Sequence, residues 1–348
     1  MKYVRMLFHR APADFLLASE EVITKAVGLG ISPPTVRVNV FDPPAVLVGY
    51  NQDVYEEVNV EEALKLGFSI NRRPSGGGTI LMYWDTPGWE IWLPSSHLSG
   101  MGIEQIYEEL SKIPLAALKY LGIEEVRFRG KNDIEVRGRK ISGTGLYSDF
   151  GGLMFCGTIL LDFNARLMLN LLKLPVEKIS DKDVKTFEER IITAREILGS
   201  KPTIERVVEA FRNAVSDVLG VDAVDGDLSE WELEEVQRAT ERYRSSDWIY
   251  GQRSTGGKTF TRVCRYKTQA GLLRVHVKVY EGVVEQLMLT GDFFVYPHTA
   301  LHELEAQLKW VAVESIPNIL AAFRGRIAIH GLSIDELNSL IKKCVEGS

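Results

Sequence analysis

Apolar and polar residues follow one another along the chain with two periods, and the changes of period predict its elements. Residues 1–8 alternate as a strand, after which Pro12 and Asp14 are placed to start a helix. Phe15, Leu16, Ser19, Val22, Ile23 and Ala26 then recur at helical spacing until Gly28 and Gly30 end it. Residues 35–41 and 45–48 are β-branched runs around Asp42-Pro43-Pro44, a strand–turn–strand signal. A short helix over 60–66 leads to strands at 68–70 and 79–83. The alternating stretch Trp89-Glu90-Ile91-Trp92-Leu93 is expected to pair with 79–83 across Asp85-Thr86-Pro87-Gly88. Residues 101–121 are helical by period, with Pro114 expected to kink or split them.

Strands follow at 133–136 and 140–142, joined at Arg137-Gly138 by a hairpin that points Lys140 away from Ile141, and again at 153–163. A helix begins over 165–172, residues 173–190 read as a polar loop with short helical pieces, and 204–219 is helical. The composition shifts at the acidic stretch 222–227, and a domain boundary is expected between there and Trp248. Strands at 259–266, 272–280 and 283–289 and helices near 301–310 and 334–345 complete the chain. The predicted fold is α+β in two domains: a large mixed, mainly antiparallel sheet flanked by helices over 1–227, and a small C-terminal α+β domain over 245–348.

One stretch carries more chemistry than its neighbours, Asn71-Arg72-Arg73-Pro74-Ser75-Gly76-Gly77-Gly78-Thr79. Three glycines leave backbone N–H groups uncovered by any Cβ, so a phosphate or acyl oxygen can approach the main chain, and the arginines add fork-shaped donors. A bare triple glycine is often only a flexible hairpin beside a solvated Arg pair. Here strands flank it on both sides, which argues for a loop that is held. It is neither a Walker A nor a Rossmann loop, because β-formers follow the glycines where those loops open a helix.

Composition narrows the partners. The 348 residues are 45% apolar and 25% charged, an ordinary globular mixture, and a net charge of −6 makes a polyanion a poor general partner. The basic residues from Arg127 to Lys140 are interspersed with acids, a weak nucleic-acid patch. No apolar run approaches the roughly 18 residues that span a bilayer, and His9, Arg10 and Asp14 interrupt any signal-peptide pattern, so a cytoplasmic protein is expected. Cys156, Cys264 and Cys344 are far apart and odd in number, and neither a metal site nor a disulfide framework is expected. Glu20-Glu21 reads as a solvated helix face rather than a catalytic acid pair. The histidines do not cluster.

Taken together, the motifs resemble the lipoate–protein ligase A family, within the wider group of biotin and lipoate ligases and acyltransferases. Asp14-Phe15-Leu16-Leu17-Ala18-Ser19-Glu20-Glu21 is similar to its first-helix motif, and Val48-Gly49-Tyr50-Asn51-Gln52 to its G-x-x-Q turn. Arg72 to Gly78 matches R-R-x-S-G-G-G. Asn132-Asp133 through Gly138-Arg139-Lys140-Ile141-Ser142-Gly143 matches N-D, a hairpin, then G-x-K-[IV]-S-G, and Gly157-Thr158-Ile159-Leu160-Leu161-Asp162 matches G-T-L-L-x-x. Trp248-Ile249-Tyr250-Gly251 and Gly291-Asp292-Phe293-Phe294 look like the family's small accessory domain.

The resemblance implies a two-step reaction. Lipoate or octanoate and ATP give acyl-AMP and pyrophosphate, and the acyl group passes to a lysine of a lipoyl carrier, either the lipoyl domain of a 2-oxoacid dehydrogenase acyltransferase subunit or the glycine-cleavage H protein. By family position Lys140 is the catalytic cation. Gly76, Gly77 and Gly78 would line the adenylate beside Arg72, Arg73 and Ser75; Thr79, Ile80 and Leu81 would meet the adenine; and Asn132, Ser142, Gly143, Gly157 and Thr158 complete the binding set. Asp133 would support the site or a Mg²⁺ implied by ATP use. No nucleic acid, no membrane and a monomer are expected. The chain departs from the family at Met82-Tyr83, usually His-Asp, and at Cys156, often His. Cys156 raises the alternative of an ATP-independent octanoyltransferase, although it sits in an apolar strand and away from the transferases' nucleophile positions. A non-catalytic lipoyl-domain binding protein is the alternative of another class, while biotin ligases carry G-R-G-R in place of S-G-G-G.

Overall fold

The computed structural model describes residues 2–130, 132–173 and 181–347, so part of the polar loop expected over 173–190 lies outside the described residues. The chain divides into two compact units. One comprises Met1–Leu47, Val58–Pro74 and Ile80–Ile249; the other comprises Val48–Glu57, Ser75–Thr79 and Tyr250–Ser348.

The first unit is built on strands β1 (Tyr3–Ala11), β2 (Thr35–Phe41), β3 (Ala45–Val48), β4 (Ser69–Arg72), β5 (Ile80–Met82), β6 (Gly88–Pro94), β7 (Val126–Phe128), β8 (Asp133–Val136), β9 (Arg139–Asp149), β10 (Gly152–Thr158) and β11 (Asp222–Asp225). Eight of them form one sheet in the order β11-β1-β2-β6-β10-β9-β8-β7, parallel at β11-β1-β2 and antiparallel elsewhere, as expected for a mixed, mainly antiparallel sheet. Every residue of β2 is buried, because both faces are covered. Helix Ala13–Gly28 packs on one face together with Glu230–Arg244. Ile103–Tyr120 and Ile204–Leu219 pack on the other, where Trp89 and Phe155 meet Phe211 and Tyr107.

Two expectations are corrected. β6 pairs with β2 and β10, not with β5; β5 pairs with β3 in a separate three-stranded sheet, so the 85–88 turn is a crossing between sheets. β2 and β3 are strands as expected, and they lie in different sheets. Helix Ile103–Tyr120 runs unbroken through the buried Pro114, because Tyr107, Leu110, Ile113, Ala117 and Leu118 hold it on both sides of the missing hydrogen bond.

The stretch after Leu219 belongs to this unit. β11 extends the sheet beside β1, and Ser229 opens helix Glu230–Arg244 with a capping box to Glu232. Glu232 then receives both terminal nitrogens of Arg5 at 2.6 Å and the Ser32 hydroxyl at 2.8 Å, which ties that helix to the sheet.

The second unit carries β12 (Arg262–Thr268), β13 (Gly271–Tyr280), β14 (Val283–Gly291), β15 (Val295–Tyr296), β16 (Val311–Ala312) and β17 (Ala328–Ile329). β12-β13-β14-β16 is an antiparallel sheet backed by helices His298–Gln307, Ile316–Ala322 and Ile334–Glu346 over an apolar core. A disulfide joins Cys264 to Cys344. This overturns the expectation of unpaired cysteines: 80 residues separate them, but β12 lies beside the last helix and brings their Cα atoms to 5.7 Å.

Candidate active site

Four strands of the large sheet hold a row of residues at one level. Arg37 of β2 stands opposite Glu90 of β6, Glu90 opposite Cys156 of β10, and Cys156 opposite Gly145 of β9, so all four share the face under helix Ala13–Gly28. Arg37 is fully buried and grips Glu90 through two hydrogen bonds of 3.0 Å, from Nε and from Nη2. It also donates to Ser19 Oγ and Leu16 O, and Asn39 donates to Glu90. A buried ion pair withstands desolvation when its remaining donors and acceptors are satisfied in this way.

Glu20 is buried against this cluster, not on a solvated face as its helical position suggested. Loss of water first, then the charge of Glu90, raises its carboxyl from 4.5 to about 8. Glu21 is half-buried and takes hydrogen bonds from Arg242 and Tyr243.

Arg73 donates Nη1 to Leu47 O at 2.8 Å, and its charge reaches both Cys156 and Glu20. Its burial lowers its own pKa to about 10. Cys156 is half-buried. Burial, then the carboxylates of Glu20 and Glu90, push its thiol far above the usual range, outweighing the pull of Arg73. That environment disfavours a thiolate.

Gly143 lies two residues before Gly145 on the same face of β9, opposite Asp133 of β8. Arg137 (φ 52°) and Gly138 (φ 78°) form the tight hairpin turn read from the sequence. Just beyond it the Lys140 side chain folds back over Gly143, where a Cβ would stand 2.9 Å from Nζ. Nζ is 2.6 Å from Asp133 Oδ1. The main chain of Lys140 is held on its outer edge by Arg190 O and Ile192 N, both at 2.9 Å. The result is a strip of sheet, Cys156–Gly145–Gly143, bare of bulky side chains, with Arg73 beside Cys156 and Lys140 over Gly143.

Other site candidates are placed differently. Gly157 and Ser142 face the opposite side of the sheet. A Cβ on Gly157 would meet the Trp89 ring at 2.4 Å and Gly143 O at 2.6 Å, so the neighbouring strands leave room only for glycine there. Ser142 Oγ is buried without a hydrogen-bond partner. Asn132 O accepts from Thr144 N at 2.7 Å, and Thr158 ends β10 opposite Gly88. Ile80 and Leu81 pair with Leu47 and Val46. Arg72 is completely buried, and its guanidinium donates to Trp248 O and Ile249 O at 3.0 Å while Trp248 Nε1 donates back to Arg72 O. That is a main-chain clamp, invisible to motif reading.

In the second unit the glycine loop and the G-x-x-Q turn interlock. Gln52 Oε1 accepts from Gly49 N at 2.8 Å and from Thr79 Oγ1 at 3.1 Å, and Tyr50 N donates to Ser75 O at 2.9 Å. A Cβ on Gly49 would stand 1.9 Å from Gly77 O. Among the described residues no group of three His, Cys, Asp or Glu could hold a metal ion. Asp133 is paired with Lys140.

Residues 12–216 match the family model described as the lipoyl protein ligase A/B catalytic domain. The chain belongs to this family. A probable lipoate-protein ligase A of Mycoplasma genitalium is 30% identical over 254 residues, 71% of this chain and 71% of that protein. An octanoyltransferase LipM of Kyrpidia tusciae is 27% identical over 264 residues, 69% of this chain but 96% of that one. The solved structure of P. falciparum LipL1 in complex with lipoate shares the fold over 98% of this chain and 99% of its own, with a TM-score of 0.76 and 18% identity. The family thus holds both ligases and octanoyltransferases. No helix among the described residues is long and apolar enough to cross a membrane.

Proposed function

We propose that the protein is an ATP-dependent lipoate–protein ligase. The observation that carries this reading is the ammonium of Lys140, fixed by Asp133 over the bare Cα of Gly143 on a strip that Arg73 borders at Cys156. Adenylation brings two anions together. A carboxylate oxygen of lipoate or octanoate attacks the α-phosphorus of ATP, the bond to the bridging oxygen breaks, and pyrophosphate leaves with the electron pair. Positioned cations stabilise the charge that builds at that centre, more strongly where water is excluded. Lys140 supplies this at the acyl carboxylate and α-phosphate, with Asp133 setting its position and Arg73 adding positive potential. In the second step the neutral ε-amine of a carrier lysine attacks the acyl carbon, the bond from that carbon to the phosphate oxygen breaks as AMP leaves with the electron pair, and the nitrogen releases one proton to solvent.

Length supports a ligase over a transferase. The LipM relative is accounted for by 69% of this chain, which leaves roughly three tenths over, whereas the Mycoplasma ligase is matched over similar shares of both chains. The raised thiol of Cys156 points the same way. Octanoyl transfer from a carrier protein is the second reading, favoured by the position of Cys156 on the strip and by the LipM relatives.

The deciding experiment incubates the protein with a lipoyl domain and either lipoate plus ATP or octanoyl carrier protein without ATP, and reads carrier mass. ATP-dependent lipoylation supports the ligase. Modification only from the acyl carrier protein would replace it with the transferase.

A further inference from the structure

The triple glycine was expected to leave its amides free for a ligand, but the second unit already covers part of it. A Cβ on Gly76 would lie 2.6 Å from the main-chain O of Phe293 and 3.1 Å from Phe294 Cα. A Cβ on Gly77, whose φ is 93°, would lie 2.8 Å from the tip of the Phe294 ring. Gly77 N donates to Phe293 O at 3.4 Å. Phe293 is 1% exposed and belongs to the core of this unit, so the carbonyl that meets the loop is anchored. Asn51 braces the same segment from the other side: its Nδ2 donates to Phe293 O at 3.3 Å and its O accepts from Gly291 N at 3.0 Å. Two of the three glycines are therefore explained by the protein's own chain.

We infer that Phe294 is a positioning residue for adenylation: it presses on Gly77 and, with Phe293 O and Asn51, presets the glycine loop in the conformation that receives the acyl-adenylate. The inference rests on the ligase reading. It makes the Gly291–Phe294 segment the support of the glycine loop within the second unit. A preset loop loses less conformational freedom on binding than one that must order itself. Removing the ring therefore weakens ligand binding more than the chemical step.

The test compares the full-length wild type with Phe294→Ala and Phe294→Leu. Hydrogen exchange of the peptide spanning 75–79, without ligand, is expected to quicken in Phe294→Ala and to return towards wild type in Phe294→Leu, while exchange across 139–149 stays unchanged. In acyl-AMP formation, KM for lipoate or ATP should rise about tenfold in Phe294→Ala with kcat within about threefold, and Phe294→Leu should recover most of the loss. Unchanged exchange at 75–79 overturns the clasp whatever the activity. Faster exchange with an unchanged KM overturns the positioning role. A wild type that forms no acyl-AMP defeats the ligase reading itself, and is told apart because the wild type alone reveals it. Should Phe294→Ala fail to fold, Phe294→Val, which also removes the reach of the ring to Gly77, carries the same two readouts in the same direction, and wild-type values for both would overturn the proposal.

Discussion

Lys140 lies over Gly143 so closely that a single methyl group on Gly143 would stand 2.9 Å from the lysine nitrogen and 3.0 Å from Cε. The obstructed group is the free end of a flexible side chain, which can swing aside at little cost. Gly143→Ala should therefore fold normally, with a melting temperature within a few degrees of wild type, while acid-dependent adenylation falls on the order of tenfold or more because the ammonium is displaced. Thermal melts and pyrophosphate release measured on the same sample check both halves. Loss of fold, or full activity, contradicts this placement of Lys140.

The glycines of the loop and its neighbouring turn are not equivalent. At Gly49 and Gly76 a Cβ meets backbone oxygen, at 1.9 and 2.6 Å, which cannot rotate away. At Gly78 the nearest atom is Asp292 Cβ at 3.6 Å, an ordinary contact. Gly49→Ala and Gly76→Ala should each destabilise by about 1–3 kcal/mol or more, and Gly78→Ala by much less. Denaturant melts of the three variants rank them, and an equal cost at Gly78 would contradict the packing.

Glu20 predicts a pH dependence. Its folded pKa of about 8 lies above the ordinary 4.5, so the folded state binds the proton more tightly than the unfolded state. Its contribution to stability is then present below about pH 4.5 and is lost as pH rises towards about 8. Glu20→Gln, neutral at every pH, should flatten that fall. Unfolding free energies of both proteins between pH 5 and pH 9 test this; parallel curves would mean that Glu20 is ionised in the fold.

The cysteines separate cleanly. Denatured without reductant, the protein should show one reactive thiol, Cys156, and after reduction three. Cys264→Ser should cost about 2–4 kcal/mol of stability, whereas Cys156→Ser should keep most activity if the thiol is no nucleophile. Three thiols before reduction, or an inactive but folded Cys156→Ser, would contradict these assignments.

Much of this was legible in the chain itself. Helical and alternating periods located helix Ala13–Gly28, the β8–β9 hairpin and the β12–β14 meander, and a β-branched run located β2, which is buried on both faces. Pairing was harder. The 85–88 turn looks like a hairpin turn, yet β6 is drawn to β2 and β10, whose apolar faces bury Trp89 and Trp92 more completely than a short β5 could. β11 is a polar edge strand that carries no period. Glu20 sits among charges on a helix and reads as solvated, because its burial depends on Arg37 and Glu90, 17 and 70 residues away. Arg72 and Arg73 look alike in the motif; only the fold sends Arg72 to Trp248 O and Ile249 O, and Arg73 to Leu47 O with its charge near Cys156. The glycine triplet reads as room for a ligand, and nothing in the motif shows that Phe293 and Phe294 approach Gly76 and Gly77.

Acid-dependent exchange of labelled pyrophosphate into ATP, measured for wild type and for Lys140→Ala at matched melting temperature, tests the role of Lys140 most directly. Wild type should exchange only when lipoate or octanoate is present, and Lys140→Ala should lose about a hundredfold or more of that rate. Exchange absent from wild type, or undiminished in Lys140→Ala, would contradict it.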